Sequence, residues 1–94
     1  MASIRTLHIL NKTPDHPRFN RCLASLGSED ALLLTEDGVL AAASDRFTGF
    51  AGPVYALRAD LEARAVEVAG GTLSPVDFEG MVKLTTEAEQ IISW

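Results

Sequence analysis

Apolar residues in this chain come in short blocks, and the spacing within a block alternates between a strand-like run and a helix-like period. Thr6-Leu7-His8-Ile9-Leu10 is a short apolar run stopped by Asn11-Lys12-Thr13-Pro14, and it predicts a first strand. Pro14 and Pro17 predict a turn over residues 13–17 and then a helix start. Phe19, Cys22, Leu23 and Leu26 follow at i, i+3, i+4, i+7, which is one face of a helix, with Arg21 and Ser25 pointing away from it. Gly27 is placed to cap its end. The block around which the rest is organised runs from Asp30 to Ala43. Leu32-Leu33-Leu34 reads as a strand buried on both faces, Thr35-Glu36-Asp37 as an acidic turn, and Val39 to Ala43 as a helix. Gly38 is expected to give the backbone freedom to change direction.

Ser44 to Pro53, rich in Gly, Ser and Thr, reads as a loop. Its two aromatics, Phe47 and Phe50, either tuck back onto the core or form a patch for a partner. Val54-Tyr55-Ala56-Leu57 is a third strand, and Arg58 to Ala65 a short helix with Leu57, Leu61 and Ala65 on one face. Asp60 and Arg64 form an i, i+4 pair in the favourable orientation. Val66-Glu67-Val68 alternates, Gly70-Gly71 breaks the alternation, and Leu73 to Val76 fits an edge strand because it contains Pro75. Asp77 is suited to N-cap a helix reaching about Thr86, with Phe78, Met81, Val82 and Thr85 on one face. Gln90-Ile91-Ile92-Ser93-Trp94 predicts a last strand docked on the sheet edge, its Trp94 packed on the core or on a partner. Strand-helix repeated four times and closed by a strand predicts an α/β fold. The expectation is one small domain over residues 1–94, with a mostly parallel sheet of four or five strands and helices on both faces.

Composition narrows what such a domain does. At 94 residues and 47% hydrophobic it can bury a core, and oligomerisation would hide surplus apolar surface. A formal charge of −5 argues against binding nucleic acid through its phosphates. No apolar run is long enough to span a membrane, and Arg5 and His8 interrupt any signal-peptide core, so a cytoplasmic location is expected. One cysteine, Cys22, leaves no internal disulfide and no multi-cysteine metal site.

The candidate chemistry is sparse. Cys22 is either a sulfur carrier or a small hydrophobe on the buried face of the first helix; mid-helix, it lacks the helix N-terminus or cation that activates a thiol. His8 lies inside a strand as a satisfied core histidine, and the spacing from His16 to Cys22 does not put those two on one helical face. Thr35, Glu36 and Asp37 sit at the carboxyl end of a strand, where α/β sheets meet ligands and partners, and are assigned to a partner edge together with Trp94. Two adjacent carboxylates without a nearby His make no metal site, and none is expected. Asn11-Lys12-Thr13-Pro14 lacks the glycines of a phosphate loop, so no nucleotide or flavin cofactor is expected, although Lys12 could contact an anion.

Four stretches in order carry a resemblance over nearly the whole chain. They are Leu7 to Pro14, Asp30 to Ala42, Val54 to Arg64, and Val76-Asp77-Phe78 through Leu84-Thr85 to Ile92-Ser93-Trp94. Together, with the closing Ser-Trp, they resemble the TusB/DsrH family. The resemblance implies a small subunit of the DsrE/DsrF/DsrH-like fold, assembled with TusC/TusD-like (or DsrF/DsrE-like) subunits into a heterohexamer with two copies of each. It implies an assembly that relays persulfide sulfur to a carrier of the TusE/DsrC type, for 2-thiolation of the tRNA wobble uridine or, in the Dsr branch, for sulfur oxidation. It also implies that the principal sulfur-carrying cysteine belongs to the TusD/DsrE-type subunit. Cys22 remains the one persulfide candidate of this chain, and a homo-oligomeric interaction module remains the alternative of another class.

Overall fold

The computed structural model of the chain describes residues 4–44, 47, 50–69 and 73–94. Its elements are β1 (Ile4–Leu10), α1 (Pro17–Ser25), β2 (Ala31–Leu34), a 3-10 helix (Glu36–Ala43), β3 (Val54–Leu57), α2 (Arg58–Ala63), β4 (Leu73–Val76), α3 (Phe78–Glu87) and β5 (Ala88–Ser93). The strands form one sheet in the order β4-β3-β2-β1-β5, and every pairing is parallel. Alternation along the strands divides the core in two. Leu10, Leu32, Leu34, Val54, Ala56 and Leu73 face α1, the 3-10 helix and α2. Leu7, Ile9, Ala31, Leu33, Tyr55 and Val76 face α3. β2, paired on both sides and covered on both faces, is buried at all of its positions. Each of its leucines contributes roughly 1.5–3 kcal/mol of burial.

The expected α/β class, the parallel sheet with helices on both faces, the edge position of β4 and the docking of β5 on the opposite edge all hold. Phe47 is buried against Phe19, with ring centroids 6.4 Å apart, and Phe50 packs on the same cluster, so these aromatics return to the core. Pro17 starts α1, and the Asp77 carboxylate caps α3 by accepting from the Gly80 N–H at 2.7 Å.

Several local expectations need correction. The segment after β2 is helical from Glu36 onward, as a 3-10 helix. Gly38 is required there for a close approach: a Cβ would lie 2.1 Å from the Leu10 carbonyl oxygen. The left-handed backbone falls on Glu36, at φ 49°. Gly27 does not cap α1; the cap is Leu26, and the Gly27 N–H is directed to Asp30 instead. α2 ends at Ala63, because Ala65 turns left-handed (φ 51°) so that Val66 can fold back with its N–H on the Leu61 carbonyl. Ala65 is therefore exposed and not part of the buried face. Val66 and Val68 form no strand but pack on the core. α3 carries two apolar stripes, and the sheet takes the one with Met81 and Leu84, leaving Phe78 and Val82 more than half exposed at 58% and 57%. Gly70-Gly71 lies outside the described residues.

Candidate functional site

A buried, hydrogen-bonded polar cluster is built where β1 and β5 run side by side on the α1 face. Register places His8 beside Leu32 on one side and Ile92 on the other, which buries the imidazole. A buried imidazole needs partners for both nitrogens, and it has them. Nε2 lies 2.9 Å from Asp30 Oδ2, and Nδ1 accepts from the Trp94 indole N–H at 3.1 Å. An indole only donates, so Nδ1 is the acceptor and the proton resides on Nε2. The tautomer is fixed from both ends. The Trp94 ring lies over His8 with centroids 6.1 Å apart and planes 20° from parallel.

Asp30 is the junction of this cluster. It accepts from the Gly27 N–H at 2.8 Å as well as facing His8, tying the loop after α1 to the sheet. Burial on its own would raise this carboxyl. The hydrogen bonds from Gly27, His8 and the Thr6 backbone outweigh it and hold the group below the usual carboxylate value. Trp94 is fixed in turn by its backbone: its N–H donates to the Ile9 carbonyl, and its own carbonyl accepts from Lys12 Nζ, both at 2.9 Å. Lys12 also donates to Asn11 and so is engaged within the chain. Beside this cluster lies a cavity of about 470 Å³, with Trp94, Ile92 and Gln90 on one wall and Ser25 and Gly27 on the other. Because both His8 nitrogens are spent, the imidazole offers that cavity neither a free lone pair nor a free proton.

A second crevice, also about 470 Å³, opens at the carboxyl ends of β1, β2 and β3 on the α3 side. Ile9, Leu57, Phe78 and Met81 line it, with Asn11, Thr35, Glu36 and Asp60 at its polar edge. Thr35 is buried, its N–H donating to the Leu10 carbonyl, whereas Glu36 and Asp37 are exposed. Asp60 organises the rim: one oxygen accepts from the Glu36 N–H at 2.7 Å, and the other lies 3.7 Å from Arg64. Arg64 also donates to Asp37 at 3.1 Å, so this expected i, i+4 pair forms with a third member.

Cys22 belongs to neither place. Its side chain is fully buried among Phe19, Leu32 and Phe47 in the core under α1. Burial pushes its thiol up to about 12, with no cation or imidazole acting in the other direction. Among the described residues, no cluster of three or more potential metal ligands forms, and no helix is long and apolar enough to cross a membrane.

The residues singled out from sequence therefore separate. Thr35 and Glu36 share the strand-end crevice, Asp37 stands beside it on Arg64, Trp94 closes the His8 cluster, and Cys22 lies in the core. Sequence reasoning named neither Asp30 nor Asp60 as a site residue, reading Asp60 only as the partner of Arg64. A histidine inside an apolar strand requires a polar partner, and an aspartate standing immediately before the next buried strand was the available one. Asp60 carries no comparable sign, since its pairing with the Glu36 backbone depends on how α2 meets the 3-10 helix.

A family model described as DsrH like protein matches residues 12–91. Protein TusB of Pectobacterium parmentieri is 35% identical over 94 residues, covering 94% of this chain and 99% of that protein. Protein TusB of Enterobacter sp. (strain 638) is 36% identical and that of Escherichia coli O139:H28 is 32% identical, with the same coverage. Among solved structures, protein Tm0979 of Thermotoga maritima superposes with a TM-score of 0.69 at 22% identity, covering 86% of this chain and 91% of that one. The ychN protein from E. coli gives 0.74 at 14% identity, covering 97% and 99%. At those identities the structural likeness is one of fold. Because the family model spans most of the sequence and the TusB proteins align over almost all of it, the chain belongs to the DsrH-like family.

Proposed function

We propose that the chain is an auxiliary subunit of a sulfur-relay complex. It assembles with TusC/TusD-like (or DsrF/DsrE-like) subunits into a heterohexamer and supports delivery of persulfide sulfur to a carrier of the TusE/DsrC type in the cytoplasm. The tRNA branch, 2-thiolation of the wobble uridine, is favoured over sulfur oxidation because the similar proteins carry the name TusB. The structural observation that carries the subunit reading is the apolar surface the fold leaves open. β5 is an edge strand with Ile91 and Ile92 exposed on its two faces, and α3 presents Phe78 and Val82. The opposite edge, β4, is protected by Pro75, which has no N–H to offer a neighbouring strand. A partner edge at Thr35, Glu36, Asp37 and Trp94 belongs to the same proposal.

Sulfur transfer requires a thiolate to attack the sulfane sulfur of a persulfide and displace the donor thiolate. Cys22 meets neither the exposure nor the ionisation that step needs. In this reading the carrying thiol comes from a partner subunit, and Cys22 serves packing. The test is native mass, measured for the chain alone and co-expressed with TusC/TusD-like (or DsrF/DsrE-like) subunits. Two copies of each in one particle is the expected result. A monomer or homo-oligomer that ignores those subunits would refute the proposal.

A further inference from the structure

We infer that the strand-end crevice is a docking site for a basic side chain flanked by apolar residues, presented by a partner protein. The inference rests on the subunit reading above only for where that partner comes from. Its own basis is the chemistry of the crevice.

The wall is apolar and incompletely covered. Ile9 and Met81 are half-buried, and Phe78, the first residue of α3, is 58% exposed. The rim is acidic, but its carboxylates Glu36 and Asp60 and the neighbouring Asp37 are not equivalent. Asp37 is committed to Arg64, and Asp60 is shared between Arg64 and the Glu36 N–H. The Glu36 carboxylate has no hydrogen-bond or ion-pair partner among the described residues. Arg58, exposed at the start of α2, makes no ion pair with it.

Glu36 is also held in a backbone conformation that glycine or asparagine would adopt at lower cost. Its φ of 49° lies in the left-handed region that favours glycine. The Asp60 carboxylate on its N–H fixes that conformation. The result is an unpaired carboxylate at the edge of an apolar crevice.

The complementary group follows. An anion would face Glu36 and Asp60 at the mouth. A purely apolar group would fill the wall but strip water from Glu36 without replacing it. A lysine or arginine answers both demands: its methylene stem covers Met81 and Ile9, its charge meets Glu36, and the same charge lies over the exposed Phe78 ring. Apolar neighbours in the partner segment would extend the contact along α3 to Val82.

The experiment is an NMR titration of the full chain with acetyl-Leu-Arg-Leu-amide, run beside the same peptide with Gln or Glu at the centre. Saturable shifts at the Thr35 and Glu36 amides and the Met81 methyl are expected for the Arg peptide, with affinity about threefold to tenfold above the Gln peptide. Glu36→Gln should abolish that preference, and Phe78→Ala should weaken binding of both. Glu36→Gly relieves the backbone strain, so it should stay folded and also lose the Arg preference. The inference is overturned if no saturable shift appears in the crevice, if Gln and Arg bind equally, or if Glu36→Gln changes nothing. The co-expressed complex separates this from the subunit reading. A wild-type complex that forms, and forms equally well with Glu36→Lys and Phe78→Ala, overturns the crevice as the partner site and leaves the subunit reading standing. A wild-type chain that joins no partner overturns the subunit reading, and the peptide titration then decides the crevice alone.

Discussion

Cys22 should be nearly inert to thiol reagents in the folded chain. Its thiol is raised from 9.0 to about 12 by burial, which at neutral pH lowers the thiolate population about a thousandfold. Since only the thiolate attacks a disulfide, and the more basic thiolate is the better nucleophile, reaction with an aromatic disulfide reagent at pH 8 should be about 30- to 60-fold slower in the native chain than in urea. Exclusion of the reagent from the core slows it further. The same shift predicts a pH dependence of stability. A group whose ionisation is harder in the folded state favours folding below its unfolded value, and that contribution is lost as pH rises above it. Stability should fall above about pH 9, by up to roughly 1.4 kcal/mol per pH unit. A Cys22→Ala variant, which costs on the order of 1 kcal/mol for the small cavity it leaves, should lack this decline. Urea unfolding of both proteins from pH 7 to pH 10, followed by circular dichroism, measures the difference. A native labelling rate within tenfold of the unfolded rate would refute the reasoning and restore Cys22 as a direct persulfide acceptor. So would two stability curves that remain parallel above pH 9.

Three further outcomes follow from the polar cluster and the loop after β2. Trp94→Phe keeps a ring over His8 but leaves the buried Nδ1 without a donor, so unfolding free energy should drop by about 1–3 kcal/mol; no change in the urea midpoint would contradict the assigned tautomer. Asp30→Asn should cost about as much at pH 7. Because the Asp30 carboxyl is lowered in the folded state, its contribution is present above its unfolded value and lost as pH falls through the folded one. The gap between wild type and Asp30→Asn should therefore close below about pH 4, as an acid-unfolding series would record. Gly38→Ala drives a methyl to 2.1 Å from a backbone oxygen and should unfold the chain or destabilise it by more than about 3 kcal/mol, whereas Gly80→Ala meets its neighbours at 3.1 Å or more and should fall within about 1 kcal/mol of wild type in thermal melts.

The strands were legible because burial on both faces leaves an unbroken apolar run, and Leu32-Leu33-Leu34 is the clearest case. Pro75 marked an edge, and Asp77 marked a helix start, since each acts through its own backbone or side chain. What was not legible depends on contacts between elements. The need for glycine at position 38 comes from the Leu10 carbonyl, 28 residues earlier, and not from a turn that the local sequence displays. The choice between the two stripes of α3 was likewise invisible, because Phe78 and Val82 are as apolar as Met81 and Leu84. His8 was read correctly as a satisfied core histidine, but its partners Asp30 and Trp94 lie 22 and 86 residues away.

The order β4-β3-β2-β1-β5 explains why so much apolar surface stays open. The chain steps outward from β1 to β4 with α1, the 3-10 helix and α2 all on one face, then crosses the entire sheet once to add β5 beside β1. Among the described residues, α3 is the only helix on the second face. Ten residues of helix cover Leu7, Leu33 and Ile4 well, but they leave Tyr55 and Ile9 half-buried and β5 exposed at five of its six positions. The same crossing sets Phe78 at the carboxyl ends of β1 to β3, next to Glu36. A sheet with one face covered by three elements and the other by one is stable alone only at the cost of wet apolar surface. The partner subunit proposed above, docked across α3 and β5, would remove that cost, and the basic side chain inferred for the crevice would fix the register in which it docks.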